Sequence, residues 1–433
     1  MDSGRTAAAL TAAMVVGVTA IAAPASAAGR PAQRLAPAAC QSPSDPGTVI
    51  AETPWQQRWL APERVWPFST GAGVRVAVID SGSDGSHPQL EGRVDRGFDM
   101  LSNSTGGDVD CVSHGTAVAS IIAARQVQGV GFAGIAPGAR ILPIRVSERE
   151  VEDGEASGQS VSAEVFADAI RRAVDEGASV VNLSVTLYRN EPAVAAAVEY
   201  AQSKDAVLVA AAGNQHKDER PDPVPYPAAY DGVIGVGAID DTGARLPASQ
   251  IGPYVDVVAP GGNVVAATRV RGHQPWNGTS FATPMVSATA ALIRAAEPGL
   301  SAEQVTRRLL ATVDPARGGR EQGYGRGVVD PYRAVTERLT TGQTQAPQGL
   351  PAVPEDPAAA ARADRWETMG AVALWVALGV LAVVVVVAGV ALLSPYGRRR
   401  RWRPTRSEPQ PEPRPAADEP EEAFFRIPGS PTA

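Results

Sequence analysis

Three widely separated motifs carry the side chains that acyl transfer requires. Asp80 ends the apolar run VAVID (residues 76–80), His114 opens HGTAVAS (114–120), and Ser280 lies within NGTSFATP (277–284). A serine hydroxyl is a weak nucleophile at neutral pH and needs a neighbouring base, and histidine titrates in the right range. A carboxylate holds the histidine tautomer and stabilises the imidazolium. The motifs predict a catalytic triad of Asp80, His114 and Ser280.

Each of these residues also has an ordinary structural explanation. An aspartate after a strand often forms a turn, a single histidine is commonly structural, and a serine at a helix start is commonly an N-cap. The combination of three motifs favours catalysis. Ser280 is predicted to begin a helix, with Pro284 tolerated in the first turn. The positive end of that helix would stabilise negative charge beside it.

Acyl transfer also creates an oxyanion, which needs hydrogen-bond donors already in place. Asn214 ends the sequence AAAGN (210–214) and supplies a side-chain amide for this role. The backbone N–H of Ser280 can supply a second donor. The alternative for Asn214 is a turn residue that follows a glycine.

Between residues 74 and 335, apolar strands alternate with helical patterns, which predicts a three-layer α/β fold with a parallel sheet between helices. Active sites of such folds lie at the carboxyl ends of the strands, where these motifs fall. The predicted strands are Val74–Ile79, Ile141–Val146, Ser179–Ser184, Ala206–Ala211, Val233–Ala238 and Val255–Ala259. The predicted helices are Gly115–Ala124, Ala163–Glu176, Glu191–Ser203, Ser280–Ala296 and Ala302–Ala311.

The two ends of the chain predict export and anchoring. Residues 1–28 have an apolar run, a breaking proline and small residues at a cleavage site, as in a signal peptide; the alternative is an alanine-rich leader. Residues 370–393 contain no charged residue and are long enough for a transmembrane helix. Arginines follow from Arg398 onward, so this end should face the cytoplasm. The catalytic part is then extracytoplasmic at the cell membrane.

Composition divides the remaining chain and limits its partners. We predict an N-terminal extension at 29–54, the catalytic domain at 55–340, a Pro-rich linker at 341–369 and a cytoplasmic tail at 394–433. The net charge of −7 argues against nucleic acid as a partner. The sequence indicates no cofactor and no metal-ligand cluster.

The order Asp80, His114, Ser280 and the flanking motifs resemble those of the subtilisin-like serine proteases, over residues 55–339 or so. That resemblance implies a seven-stranded parallel sheet and hydrolysis of protein substrates through an acyl-enzyme. A narrower resemblance is to the mycosins, on WQQRWL (55–60), SHPQL (86–90), GIAP (134–137) and ILPIR (141–145). It implies partnership with the membrane complex of a type VII secretion system.

The resemblance also bears on the roles of the two cysteines and of the short N-terminal segment. Many subtilases carry an inhibitory prodomain, for which the segment between the cleavage site and Asp80 is too short, so residues 29–54 should wrap the catalytic domain instead. In an exported protein Cys40 and Cys111 would form a disulfide that pins this extension beside His114. Two unpaired thiols are the alternative.

One departure from the family pattern and two open alternatives remain. Val185 and Thr186 stand where subtilases often have Leu-Gly, which leaves the cleavage preference open. Residues 148–159 are acidic and Gly-rich, and predict either a solvated surface loop or a gate or partner site. The chain is either an endopeptidase with a narrow substrate range or a scaffold of the secretion complex in which proteolysis is secondary. Membrane anchoring argues against a general digestive protease.

Overall fold

The computed structural model describes residues 40, 43–148, 150–152, 155–339, 369, 375–385 and 387–388. These fall into two compact units, divided between residues 353 and 354. The predicted signal peptide and cytoplasmic tail lie outside the described residues, as does the linker except for Met369. Within the described part of the chain, no helix is both long and apolar enough to span a membrane. The domain boundaries stay predictions.

The first unit is built on an eight-stranded sheet with the order β10-β9-β8-β7-β1-β4-β2-β3. Seven of these strands are mutually parallel, and the short β3 pairs antiparallel with β2 at one edge. The strands are β1 (Arg75–Asp80), β2 (Phe98–Asp99), β3 (Ser104–Thr105), β4 (Arg140–Arg145), β7 (Val180–Leu183), β8 (Val207–Ala211), β9 (Ile234–Ile239) and β10 (Val257–Pro260). The predicted parallel sheet is confirmed, with strand ends shifted by one or two residues.

Helices cover both faces of this sheet, and this explains why β1 is apolar and buried at each of residues 76–79. The helices are α1 (Trp55–Leu60), α2 (His114–Ala123), α3 (Ala163–Asp175), α4 (Pro192–Ser203), α5 (Thr279–Ala296), α6 (Ala302–Ala311) and α7 (Pro331–Thr336). In β1, Val76 and Val78 belong to the core beneath α2 and α5. Ala77 and Ile79 belong to the core beneath α3 and α4. Successive side chains of a strand point to opposite faces, so both must be apolar here.

Local sequence sets several of the helix ends. Ser162 caps α3 by accepting from the N–H of Val165, and Ser301 forms a capping box with Gln304 at the start of α6. Pro192 is the first residue of α4, one residue later than predicted, because proline fits the first helical position.

Residues 148–159 correct one prediction, since they do not form a plain loop. They contain an antiparallel hairpin of β5 (Glu150–Glu152) and β6 (Glu155–Ser157). Glu148, at the start of the segment, is buried in an ion pair with Arg145. The ion pair compensates the Glu148 carboxylate for the hydration that it loses on burial.

A second hairpin receives the N-terminal extension. Strands β11 (Val264–Ala267) and β12 (His273–Trp276) pair antiparallel, and Thr48 exchanges backbone hydrogen bonds with His273 at the edge. Farther along, the N–H of Gly131 donates to the carbonyl of Ile50. The described part of the extension is thus held against the catalytic unit by its own backbone.

Candidate active site

Asp80 and His114 meet where β1 ends and α2 begins. The Asp80 side chain is 3% exposed, and its Oδ1 lies 2.7 Å from Nδ1 of His114 and 2.7 Å from the N–H of Ser81. Nδ1 therefore carries the proton, which leaves Nε2 of the imidazole free to act as a base. Oδ2 of Asp80 is buried and has no hydrogen-bond partner among the described residues. The imidazole is thus the main partner of this buried charge.

The surroundings of His114 act on its pKa in opposite directions. Burial disfavours the charged imidazolium, but the charge and hydrogen bond of Asp80, with a smaller contribution from Asp110, raise the pKa above its ordinary value of 6.5. The ring also packs on Phe281, at a centroid distance of 5.1 Å. Phe281 directly follows Ser280 in the chain, so this contact joins the histidine to the serine helix.

Ser280 is the second residue of α5, so the helix begins one residue earlier than predicted. Its hydroxyl donates to the carbonyl of Ser184 at 3.4 Å, and in return the Ser184 hydroxyl donates to the carbonyl of Ser280 at 2.8 Å. No hydrogen bond joins the Ser280 hydroxyl to His114 among the described contacts. The structure brings serine and histidine to one edge of the sheet without pairing them directly.

Pro284 corrects a second expectation and explains the role of Ser184. It is the sixth residue of α5, beyond the first turn. Proline has no N–H, so the carbonyl four residues earlier, that of Ser280, lacks its helical donor. The Ser184 hydroxyl fills that vacancy. The proline thereby leaves the candidate nucleophile tied to the carboxyl end of β7.

Asn214 lies on the other side of the α5 terminus. Its Oδ1 accepts from the N–H and hydroxyl of Thr279, at 2.9 and 3.1 Å. Because an N–H can only donate, this bond fixes the amide orientation and leaves the NH₂ group unpaired among the described residues. Asn214 is exposed, so its amide can donate to a group that binds beside Ser280.

Close backbone packing forms the junction between the Asp80 and His114 loops. A Cβ on Gly115 would overlap the carbonyl oxygen of Gly82, and a Cβ on Gly82 would overlap the carbonyl oxygen of Val109. Gly82 also has φ +104, a backbone conformation that residues other than glycine rarely adopt. The two glycines let β1 and α2 approach closely enough for the 2.7 Å contact.

Comparisons with known proteins agree with this arrangement. Residues 71–327 match the family described as Peptidase_S8, Subtilase family. The chain belongs to the subtilase family. It is 35% identical over 361 residues to Mycosin-1 of Mycobacterium tuberculosis, a match covering 73% of this chain and 80% of that protein. It is 37% identical over 273 residues to the Thermophilic serine proteinase of Bacillus sp., covering 63% and 64%.

Solved structures support the same family. The chain matches the structure described as "a serine protease MycP1, an essential component of the type VII (ESX-1) secretion system", with a TM-score of 0.59 and 34% identity over 68% of this chain and 92% of that chain. Together with the mycosin match, this makes the chain a subtilase of the mycosin type, and so a serine peptidase.

The cysteines of this subtilase form the expected bridge. Cys40 and Cys111 are disulfide-bonded, with their Cα atoms 5.0 Å apart. The bridge joins the extension to the loop before His114, and the N–H of Ser44 donates to the carbonyl of Cys111 at 2.8 Å. Among the described residues, no group of three potential ligands could hold a metal ion.

Sequence reasoning missed Asp110, a buried carboxylate that organises the start of α2. Its Oδ2 accepts from the N–H and hydroxyl of Thr116, and its Oδ1 accepts from the N–H groups of Val112 and Ser113 and the hydroxyl of Ser81. Burial raises the pKa of Asp110, against these hydrogen bonds. The signal was available, because an aspartate shortly before a helix is a common cap.

Proposed function

We propose that this subtilase is a membrane-anchored, extracytoplasmic serine endopeptidase that hydrolyses peptide bonds with Ser280, His114 and Asp80, in association with a type VII secretion system. The observation that carries the catalytic part is the 2.7 Å contact between Asp80 and His114 beside the start of α5. A buried carboxylate on Nδ1 leaves Nε2 unprotonated and able to take the proton of a serine hydroxyl.

The reaction begins when the Ser280 hydroxyl exchanges its acceptor. Its 3.4 Å bond to the Ser184 carbonyl is long, so little is lost when it turns to His114 on substrate binding. His114 takes the proton as Ser280 attacks the peptide carbonyl, and Asp80 stabilises the imidazolium. His114 then returns the proton to the leaving amine. Water hydrolyses the acyl-enzyme by the same proton transfers in reverse.

Two donors are available to the oxyanion that forms at each attack. One is the NH₂ group of Asn214, which has no partner among the described residues and is held in orientation by Thr279. The other is the N–H of Ser280, which belongs to the first four N–H groups of α5 and has no partner inside the helix. Both lie at the positive end of that helix, which favours negative charge.

Labelling with a fluorophosphonate tests the triad. The full-length protein should be modified, and mass spectrometry should find the adduct on Ser280. Ser280→Ala should abolish the modification, and His114→Ala should slow it strongly because the hydroxyl loses its base. A Ser287→Ala control, seven residues farther along α5, should still be labelled. Labelling that persists in Ser280→Ala would refute the assignment of the nucleophile.

The sequence at the carboxyl end supports the membrane anchor. Residues 370–393 contain no charged residue, and arginines follow. The described helical residues of this segment expose large apolar side chains, which soluble surfaces avoid in such number. These are Trp375, Val376, Leu378, Val380, Leu381, Val383, Val384, Val385 and Val387. Protease added outside cells with a permeable envelope should digest the catalytic domain and spare the tail; protection of the domain would reverse this topology.

Association with secretion is supported by the solved relative described as an essential component of such a system. The scaffold hypothesis rests on the same observation, and one comparison separates the two. Secretion is measured in cells with the wild-type chain, with Ser280→Ala, and without the protein. Newly uncleaved secreted proteins in the Ser280→Ala cells would identify substrates. Secretion that survives Ser280→Ala but fails without the protein would make the scaffold role the essential one.

A further inference from the structure

The turn that leads into His114 has an unusual conformation. Ser113 has φ 67 and ψ −8, the left-handed region that residues other than glycine seldom occupy. It is also the N-cap residue of α2, yet its hydroxyl does not cap the helix. Asp110 performs that task. The Ser113 hydroxyl is therefore free to bond to other parts of the chain.

Residues from two segments that are distant in sequence form hydrogen bonds with the Ser113 hydroxyl. The hydroxyl of Ser44, in the N-terminal extension, lies 2.7 Å from it, and the N–H of Arg269, at the tip of the β11–β12 hairpin, donates to it at 3.0 Å. Ser113 itself is buried. These three residues, Ser44, Ser113 and Arg269, are called the histidine clamp below.

The clamp holds the backbone of the turn as well as its side chain. The guanidinium of Arg269 donates to the carbonyl of Asp110 and to the carbonyl of Ser44, each at 3.2 Å. The N–H of Ser44 donates to the carbonyl of Cys111 at 2.8 Å. Arg269 thus links the N-terminal extension to the turn. Ser44 and Arg269 also each form a hydrogen bond to the backbone of the turn.

The direction of the imidazole depends on this turn. His114 is the first residue of α2, so the dihedral angles of Ser113 set where its side chain leaves the backbone. Asp80 is fixed separately, at the end of a central strand. A left-handed residue that loses its partners relaxes toward commoner dihedral angles, which would carry Nδ1 away from the Asp80 carboxylate.

We propose that Ser44 and Arg269 are positioning residues for catalysis, which hold the Ser113 turn so that His114 faces Asp80. The N-terminal extension then contributes to the active site through its contacts with this turn. This inference rests on the proposed triad.

The test is the rate of inactivation by a fluorophosphonate, measured as a function of pH on full-length protein. Ser44→Ala and Arg269→Met should each lower the maximal inactivation rate by about tenfold, a modest part of what misplaced reacting groups can cost. The concentration for half-saturation should change little. The acid midpoint of the rate should move to lower pH, because the imidazolium loses support from Asp80.

Matched variants separate positioning from general damage. Ser44→Thr keeps the hydroxyl and should restore most of the rate. Asp45→Asn and Arg271→Met alter exposed neighbours in the same two segments and should behave as the unmodified protein. The denaturation midpoint of each variant, measured in the same buffers, shows whether it is fully folded under the assay conditions, so that a lower rate constant is not mistaken for a loss of folded protein.

An unchanged rate constant and acid midpoint in both Ser44→Ala and Arg269→Met would overturn the inference. Loss of labelling in Ser280→Ala and strongly slowed labelling in His114→Ala, recorded in the same series, would support the nucleophile and the base of the proposed function in that event. Labelling that persists in Ser280→Ala would instead refute the proposed function itself. The two failures are therefore distinguishable.

Discussion

His273 should make the stability of this subtilase depend on acid. It opens β12, is 3% exposed, and its Nε2 lies 2.6 Å from Oε1 of Gln89. Because that oxygen only accepts, Nε2 carries the proton, and Nδ1 accepts from the N–H of Ile50 at 3.4 Å. A second proton on Nδ1 would face this N–H. Protonation therefore sets two donors against each other where the extension meets the hairpin.

The size of the effect follows from the pKa. Burial, and next the neighbouring His87, lower the pKa of His273 from 6.5 to about 4. A depressed pKa contributes stability that is fully present above pH 6.5 and is lost as the pH falls through about 4. At about 1.4 kcal/mol for each pH unit, the loss over this window amounts to about 3 kcal/mol.

Urea unfolding of full-length protein between pH 4 and pH 7.5 measures this, in a Ser280→Ala background that prevents self-digestion. The free energy of unfolding should fall more steeply toward acid in the parent than in His273→Gln, by up to about 1.4 kcal/mol per pH unit. Leu309→Ala is the control: it truncates a buried side chain of α6, away from the hairpin that carries His273, and should lower stability while keeping the slope. Equal slopes in the parent and His273→Gln would refute the reasoning.

Three further predictions concern the site and its supports. Asn214→Ala should lower kcat by about 10²–10³ with little change in KM, because an oxyanion donor acts mainly in the transition state; steady-state kinetics on a cleaved peptide check this, and an unchanged kcat would contradict it. Gly115→Ala should destabilise by about 1–3 kcal/mol in thermal unfolding, since its Cβ overlaps Gly82, whereas Gly299→Ala meets no atom within 4 Å and should not. Cys40→Ser should lower the free energy of unfolding by at most about 4 kcal/mol, the value for freeing a loop of this length; an unchanged denaturation midpoint would show that the bridge adds no stability.

The fold could be predicted from the sequence because strands and helices are indicated by patterns within short segments. Runs such as residues 76–79 and 207–211 are apolar at every position, which only strands covered on both faces require. The six predicted strands and five predicted helices all exist, with ends displaced by two residues at most. Hairpins β5–β6 and β11–β12 lacked such a signal. The first lies within an acidic stretch, and in the second β12 carries His273 and Pro275 in place of an apolar run.

The site was accessible only in part. Asp80, His114, Ser280 and Asn214 stand in motifs that chemistry alone makes recognisable, and the structure brings their elements to one edge of the sheet. The 2.7 Å contact of Asp80 with His114, the hold of Ser184 on Ser280 and the orientation of Asn214 by Thr279 are contacts between residues 34, 96 and 65 positions apart. No local pattern encodes such contacts.

The amino-acid sequence by itself determined the alternation of strands and helices and the residue types available for catalysis, since both follow from burial periodicity and side-chain chemistry along short segments. Tertiary structure alone decided that Ser280 bonds to Ser184 rather than to His114. It also decided that Asp110 rather than Ser113 caps α2, and that Ser44 reaches the turn before the histidine. The reason is physical. Two groups can form a hydrogen bond only where packing of the core brings them within about 3 Å of each other, and the order of residues along the chain does not specify these distances.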